Sequence, residues 1–447
     1  MNFNEFKHET IEVLKENGIE EYELYYATSE STSINIYNGE INSFSSSNDG
    51  GVCIRLVKDG RFGYASTESL SKEDAVSIVK RAIENAKSLE TTDPVLLSKK
   101  GSEYTTPDIT GKELPATEKL ITKVKKGYDE LTAIEGVSDR SSTSIFSDEG
   151  KIAICNSNGV DLSYENSTCG YYASAIILND GEMTDGHSIK AGDLDSLDTQ
   201  KIAEEAVEEA KAKIGAKSAP TGVYPVLLSP EAMSSLVATY CGIFSAESVQ
   251  KGLSKLKDKE GEVIASDILS IVDDPFYKES TMPIGFDDEG CPTKKKHVIK
   301  NGKLETLLYN LKTAAIAGKE TTGNASKGSY SSPIGTSPFT FYIEAGDCSE
   351  EEIIEKAGNG VLIDYLGGLH AGANFITGDF SLQSSGFMIE NGKKTVPVKS
   401  FTVAGNFYDL LKRIVAISNE VKVPRPFGKT SFGSPFVLID NLSIAGK

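Results

Sequence analysis

A hydrophobic period of two that gives way to a helical period, twice over, constrains this 447-residue chain most strongly. Segments Glu21–Thr28, Ser33–Tyr37, Glu40–Phe44 and Gly51–Val57 alternate in polarity and are rich in Tyr, Ile and Val, as half-buried strands are. Asn-Gly, Asp-Gly and Ser-rich stretches bound them as turns, and Asp59-Gly60 predicts a tight hairpin returning through Arg61–Ala65. Ser69 or Ser71 can then cap a helix whose Ala75, Ile78, Val79 and Ile83 share one face. A short amphipathic helix, Phe3–Asn17, precedes the strands.

Beyond a linker at Thr91–Pro115 and a charged helix at Thr117–Ile134, the pattern recurs. It runs through Thr143–Phe146, Lys151–Cys155, Val160–Tyr164 and Gly170–Leu178, the turn Asn179-Asp180-Gly181, and a long helix at Asp198–Ile214. The recurrence predicts antiparallel sheet-plus-helix units at about 1–92 and 113–216 inside one N-terminal domain, residues 1–218. The chain is too long for one core, and Ser218–Gly222 is the best boundary for a second domain, 222–447. That half reads as strand-rich, with a helix opened by Ser229-Pro230, one more helix at Phe407–Ile417 and a last strand at Phe436–Ile439. The fold class expected is therefore α+β.

The stretch Asp364–Pro397 crowds Gly367, Gly368, Gly372 and Gly378 around His370 and Asp379. Glycine at this density serves positive backbone angles or close backbone approach. Two readings stay open at this point: tight turns between strands, or loops lining a cleft.

Charge and motifs exclude several functions. The sum 46 − 65 = −19 repels polyphosphate, so direct nucleic-acid binding is not expected. No apolar run is long enough for a membrane-spanning helix. The polar N-terminus is no signal peptide, and six scattered cysteines without CxxC read as free thiols, so a cytoplasmic location is expected. GxSxG, the P-loop and GxGxxG are absent. The four histidines (His8, His187, His297, His370) form no helical zinc pair. Asp273-Asp274 and Asp287-Asp288-Glu289 could hold Mg²⁺ or Ca²⁺, but solvated turn residues are the expected reading.

From end to end the chain resembles the TldD/PmbA family, in particular its PmbA (TldE) branch. The resemblance is carried by Gly51–Arg55, Gly63–Thr67, Ile271–Pro275, Phe286–Gly290, Gly367–Asn374, Thr377–Ser381, Ile389–Gly392 and Thr402–Asn406. It implies a cytosolic zinc peptidase in which a TldD-type and a PmbA-type subunit enclose a chamber that trims unfolded peptides. An older family name, modulator of DNA gyrase, implies no direct contact with DNA.

The catalytic branch carries HExxxH on a helix and a late cysteine. The matching helix here reads Val237–Gly242: Val237 and Gly242 cannot ligate, Ala238 cannot act as a base, and the last cysteine is Cys348. The resemblance thus implies a non-catalytic subunit with no cofactor of its own, zinc being expected only in a catalytic partner. Its partners would be a TldD-like subunit, or a second copy in a homodimer, and an extended peptide. Contact would run through Gly368, His370, Gly372, Asn374, Gly378 and Asp379. Two rivals are a hydrolase joining His370 and Asp379 to the acidic turn at 287–289, and a homo-oligomeric peptide-binding scaffold.

Overall fold

The computed structural model describes residues 1–90, 93–101, 103–107, 114–425 and 427–447. Parts of the expected linker Thr91–Pro115, and the unit boundaries at 92 and 113, lie outside the described residues. The first unit is helix α1 (Phe3–Glu16), strands β1 (Tyr22–Tyr37), β2 (Glu40–Lys58) and β3 (Arg61–Thr67), and helix α2 (Lys72–Ser88). The second repeats that order as α3 (Thr117–Thr132), β4 (Ser142–Asn156), β5 (Asp161–Asn179), β6 (Glu182–Gly192) and α4 (Thr199–Ala212). Antiparallel pairing of β1 with β4 joins both into one six-stranded sheet of order β3-β2-β1-β4-β5-β6.

The strands are longer than the alternation alone indicates. Ser45–Ser47, expected to turn, stay extended because they pair with Ser31–Ser33, and β6 has no counterpart in the sequence reading. The Asn38-Gly39 turn has φ 52° and 77°, both positive as the tight hairpin requires. Ser71, not Ser69, caps α2 in a capping box with Asp74.

All four helices cover one face of the sheet. Even-numbered β1 residues Leu24, Ile34 and Ile36 point into the helix-side clusters, because alternate side chains take opposite faces. One glycine in the last strand of each unit lets its helix approach. A Cβ on Gly63 would stand 1.9 Å from the Ala82 carbonyl of α2, and one on Gly186 2.2 Å from the Ala206 carbonyl of α4.

The C-terminal half begins with β7 (Gly222–Leu228), α5 (Pro230–Tyr240) and α6 (Ala246–Gln250). Next come β8 (Ile271–Asp274), β9 (Lys296–Lys300), β10 (Lys303–Leu304), α7 (Leu311–Ala317), β11 (Ala325–Ser326), β12 (Gly335–Thr336) and β13 (Thr340–Ile343). Then follow α8 (Glu350–Ala357), β14 (Gly360–Gly367), α9 (Leu369–Gly372), β15 (Asp379–Glu390) and β16 (Lys393–Asn406). The last elements are α10 (Phe407–Lys412), β17 (Ile414–Ile417), β18 (Ser431–Gly433) and β19 (Val437–Ala445). Strands pair in the order β16-β15-β14-β7-β19-β17, and β16 also pairs with β19, so the sheet closes on itself around an apolar core. A second sheet runs β10-β9-β8-β13-β18.

Two expectations are corrected here. The helix expected at Phe407–Ile417 stops at Lys412, and Ile414–Ile417 becomes an edge strand alternating Ile414 in, Val415 out, Ala416 in. The Leu311–Ala317 and Glu350–Ala357 helices were not foreseen, the first being short and the second mostly acidic on its outer face.

The larger correction concerns the acidic runs. Asp273, Asp274, Asp287, Asp288 and Glu289 are buried, none above 7% exposed. The sheet face opposite the helices is covered by the C-terminal half, so Tyr25, Ile152, Ile154 and Tyr164 on that face are buried too. Arg55 donates to both carboxylate oxygens of Glu23 at 2.9 Å and to Glu289 at 3.1 Å. Tyr25 Oη donates to Asp288 at 2.8 Å, and Lys429 pairs with the same carboxylate at 2.7 Å.

Replacing Arg55 by Met should cost about 3–5 kcal/mol by leaving Glu23 and Glu289 charged and unpaired in the interior. Urea unfolding read by far-ultraviolet circular dichroism measures this. Gly186→Val should destabilise by about 1–3 kcal/mol through overpacking against α4, seen as a lowered melting temperature.

Candidate functional site

The glycine-rich stretch folds into a closed loop beside the C-terminal end of α5. Gly368 enters α9 at φ 73°, and Gly378 leaves the loop at φ 83°. Between them the Asn374 side chain accepts the Ile376 and Thr377 amides at 3.0 Å, the Asx turn such residues favour. The Asn374 amide donates to Asp379 O and the Gly378 amide to Asn374 O, closing the loop on itself.

Anchors from three other elements hold it. Asn406, the cap of α10, donates to Thr377 O at 2.9 Å and to the Asp379 carboxylate at 2.8 Å. Lys255 Nζ reaches Thr377 O at 2.7 Å. Tyr240, the last residue of α5, donates to Asp379 O at 2.9 Å while stacking on Phe407 at 4.5 Å. The Asn406 hydrogen bond, followed by that of Thr377, holds the Asp379 carboxyl below its ordinary value.

What the loop presents is apolar. Phe375 and Ile376 are 51% and 48% exposed, and Phe375 lies 6.4 Å from the Tyr240 ring. They border an open recess of about 530 Å³ that Gly372, Asn374, Asp379 and Phe380 also line. His370 stands exposed on α9 and makes no hydrogen bond among the described residues. The hydrolase constellation is not assembled. The acidic turn at 287–289 is spent on Arg55, Tyr25, Lys429 and the amides of Leu311, Ala325 and Lys327, and among the described residues no hydrogen bond joins it to His370 or Asp379.

The end of α5 does not fit zinc. Val237 is packed in the core at 1% exposure, Ala238 offers no donor, and Gly242 lies on a 3₁₀ turn (Cys241–Phe244) with open space where a side chain would project. Burial pushes the neighbouring Cys241 thiol up to about 11, away from the thiolate a metal needs. Among the described residues no group of three or more His, Cys, Asp or Glu could hold a metal ion.

Sequence reasoning named the glycines, Asn374 and Asp379 but missed Tyr240, Asn406, Phe375 and Ile376. Asn406 lies inside a segment that carried the resemblance and Tyr240 on the helix matched to the zinc motif, so position along the chain was the signal available for them.

A larger cleft, about 920 Å³, opens between the N-terminal sheet and the C-terminal half, with Lys190, Glu209, Glu231 and Asp364 in its wall. At its edge His187 on β6 lies 3.4 Å from Glu209 on α4 and 3.4 Å from Glu231 in the first turn of α5. Arg425 pairs with Glu231 at 3.2 Å, and Lys213 with Glu209 at 2.6 Å. The Glu231 hydrogen bond raises the His187 pKa above its ordinary value, against the opposing effect of burial.

This architecture is that of a metallopeptidase class built in three parts. Family models match residues 22–86 (PmbA/TldA metallopeptidase domain 1), 111–214 (central domain) and 221–446 (C-terminal domain). The chain belongs to the PmbA/TldD metallopeptidase family. A Thermotoga maritima crystal structure named for modulation of a DNA gyrase is 32% identical, with a TM-score of 0.90 over 99% of this chain and 100% of that one. TldE of Thermococcus kodakarensis is 28% identical, with a TM-score of 0.87 over 98% of this chain and 100% of that chain. The metalloprotease PmbA of Escherichia coli is 24% identical over 430 residues, 94% of this chain and 92% of that one.

His187 predicts a pH dependence with a definite sign. Its folded pKa is raised, so its stabilising contribution is complete below about pH 6.5 and is lost as pH rises through the folded value. Melting temperature should therefore fall with rising pH above neutrality in the parent protein, and His187→Gln should flatten that slope.

Proposed function

We propose that this protein is the non-catalytic, PmbA/TldE-like subunit of a cytoplasmic metalloprotease that acts on unfolded peptides. One observation carries the reading. Where catalytic relatives bear the zinc motif, this chain has Val237 and Ala238 in the last turn of α5 and Gly242 just beyond it, and that end is packed against a loop offering exposed Phe375 and Ile376. The first half of that pairing removes chemistry, and the second supplies contact. Exposed aromatic and aliphatic anchors beside a recess suit a partner chain or an extended peptide, whose burial of them recovers roughly 25 cal/mol per Å² of apolar surface. Gly368, His370, Gly372, Asn374, Gly378 and Asp379 shape and border this contact surface. The zinc belongs to a TldD-like partner carrying HExxxH, and in its absence two copies of this chain associate. Neither nucleic acid nor membrane is a partner.

With zinc added, the purified chain should leave an unfolded protein such as reduced, alkylated lactalbumin intact, while adding an HExxxH relative should produce cleavage. Robust zinc-dependent cleavage by this chain alone, abolished by a chelator, would sink the reading. Phe375→Asp with Ile376→Asp should weaken association with that relative at least about tenfold, about 1.4 kcal/mol, measured by calorimetry.

A further inference from the structure

Burial pushes five of the six thiols up, those of Cys53, Cys155, Cys169, Cys241 and Cys291. Cys348 is set apart by what it touches. It precedes Ser349, the N-cap of α8, and its Sγ stands 2.7 Å from Nζ of Lys356 near the end of that helix. Side chains on a helix lean toward its N-terminus, which brings residue 356 back toward residue 348. The thiol end is fixed, since Cys348 O accepts the Asn419 amide at 2.7 Å and the Cys348 backbone bridges to Ser418. Cys348 is 7% exposed, whereas Lys356 reaches it from the surface.

The spacing is the telling quantity. Even an N–H···O bond averages about 2.9 Å, and sulfur is larger than oxygen, so an N–H···S bond is longer still. Nitrogen and sulfur at 2.7 Å are spaced instead as they are on either side of one shared oxygen atom, bent at that oxygen. A direct N–S bond would need them closer.

We propose that Cys348 and Lys356 are a modification site that closes into an oxygen-bridged N–O–S crosslink on exposure to dioxygen. Lys356 first gives one proton to solvent, leaving a neutral amine. Dioxygen then accepts four electrons, two from Sγ and two from Nζ. The S–H bond and one N–H bond break, an S–O and an O–N bond form, and the second oxygen atom leaves with both hydrogens as water. Four electrons from two dithiols reverse the reaction to thiol, amine and water. The bridge would tie the last turn of α8 to the loop before it, above the apolar cluster that Ile353 and Ala357 form with Leu362 and Phe387.

The test is digestion of the full chain with a glutamate-specific protease after aerobic and anaerobic incubation, because Glu350, Glu351, Glu352 and Glu355 lie between the two residues. The aerobic sample should keep the Cys348 and Lys356 fragments joined, heavier by one oxygen and lighter by two hydrogens. Dithiothreitol should release them, and Lys356→Arg, an exposed site that leaves the fold intact, should abolish the link. Hydrogen exchange across α8 should slow when the link is present. Separate fragments, sulfinic acid on Cys348 with an unmodified Lys356, or a link lacking the oxygen would each overturn the proposal.

Discussion

The Arg55 guanidinium is the interaction on which the assembly of this protein depends. It leaves the N-terminal sheet on the face away from the helices, is held in bidentate fashion by Glu23 of the neighbouring strand, and uses its remaining arm on Glu289 of the C-terminal half. All three groups are at most 5% exposed. Two carboxylates and one guanidinium out of water carry a large desolvation cost, which is offset only if every partner stays in place. Glu289 also accepts the Leu311 amide, and Asp287 accepts those of Glu289, Cys291 and Ala325. The acidic turn is thus a rigid plug that fits one position on the sheet.

That plug explains why the sheet is built as a repeat. A sheet clad by helices on one face and by another half of the chain on the other must be apolar along most of its middle, as Val52, Ile54 and Leu56 are, with charge such as that of Arg55 admitted only in matched sets. Doubling a helix–meander–helix unit across the β1–β4 seam widens the platform while keeping each unit's local packing. Gly63 and Gly186 do the same work in the two halves, each removing a side chain where a helix backbone comes within contact of the last strand.

Cleft and loop depend on this docking in different ways. The 920 Å³ cleft exists only between the sheet and the C-terminal half, and His187 spans its edge from one to the other. The loop at 367–380 belongs to the C-terminal half alone and is held by Tyr240, Lys255 and Asn406. Gly378 makes a tight turn, and that turn presents Phe375 and Ile376 beside an open recess.

Local chemistry determined much of this protein from sequence alone. Period-two alternation, Asn-Gly and Asp-Gly turns and side-chain caps such as Ser71 and Ser229 act over a few residues, so strands, hairpins and helix starts were legible. The tertiary structure alone decided the fate of the acidic runs. Asp287-Asp288-Glu289 reads as a solvated turn because nothing nearby in the chain neutralises it, and its counter-charges, Arg55 and Lys429, are more than a hundred residues away on either side. A comparable separation, 139 residues, hid Tyr240 as a support of the loop. A carboxylate's environment is set by what packs against it, and that contact is made only when separate parts of the chain close on one another.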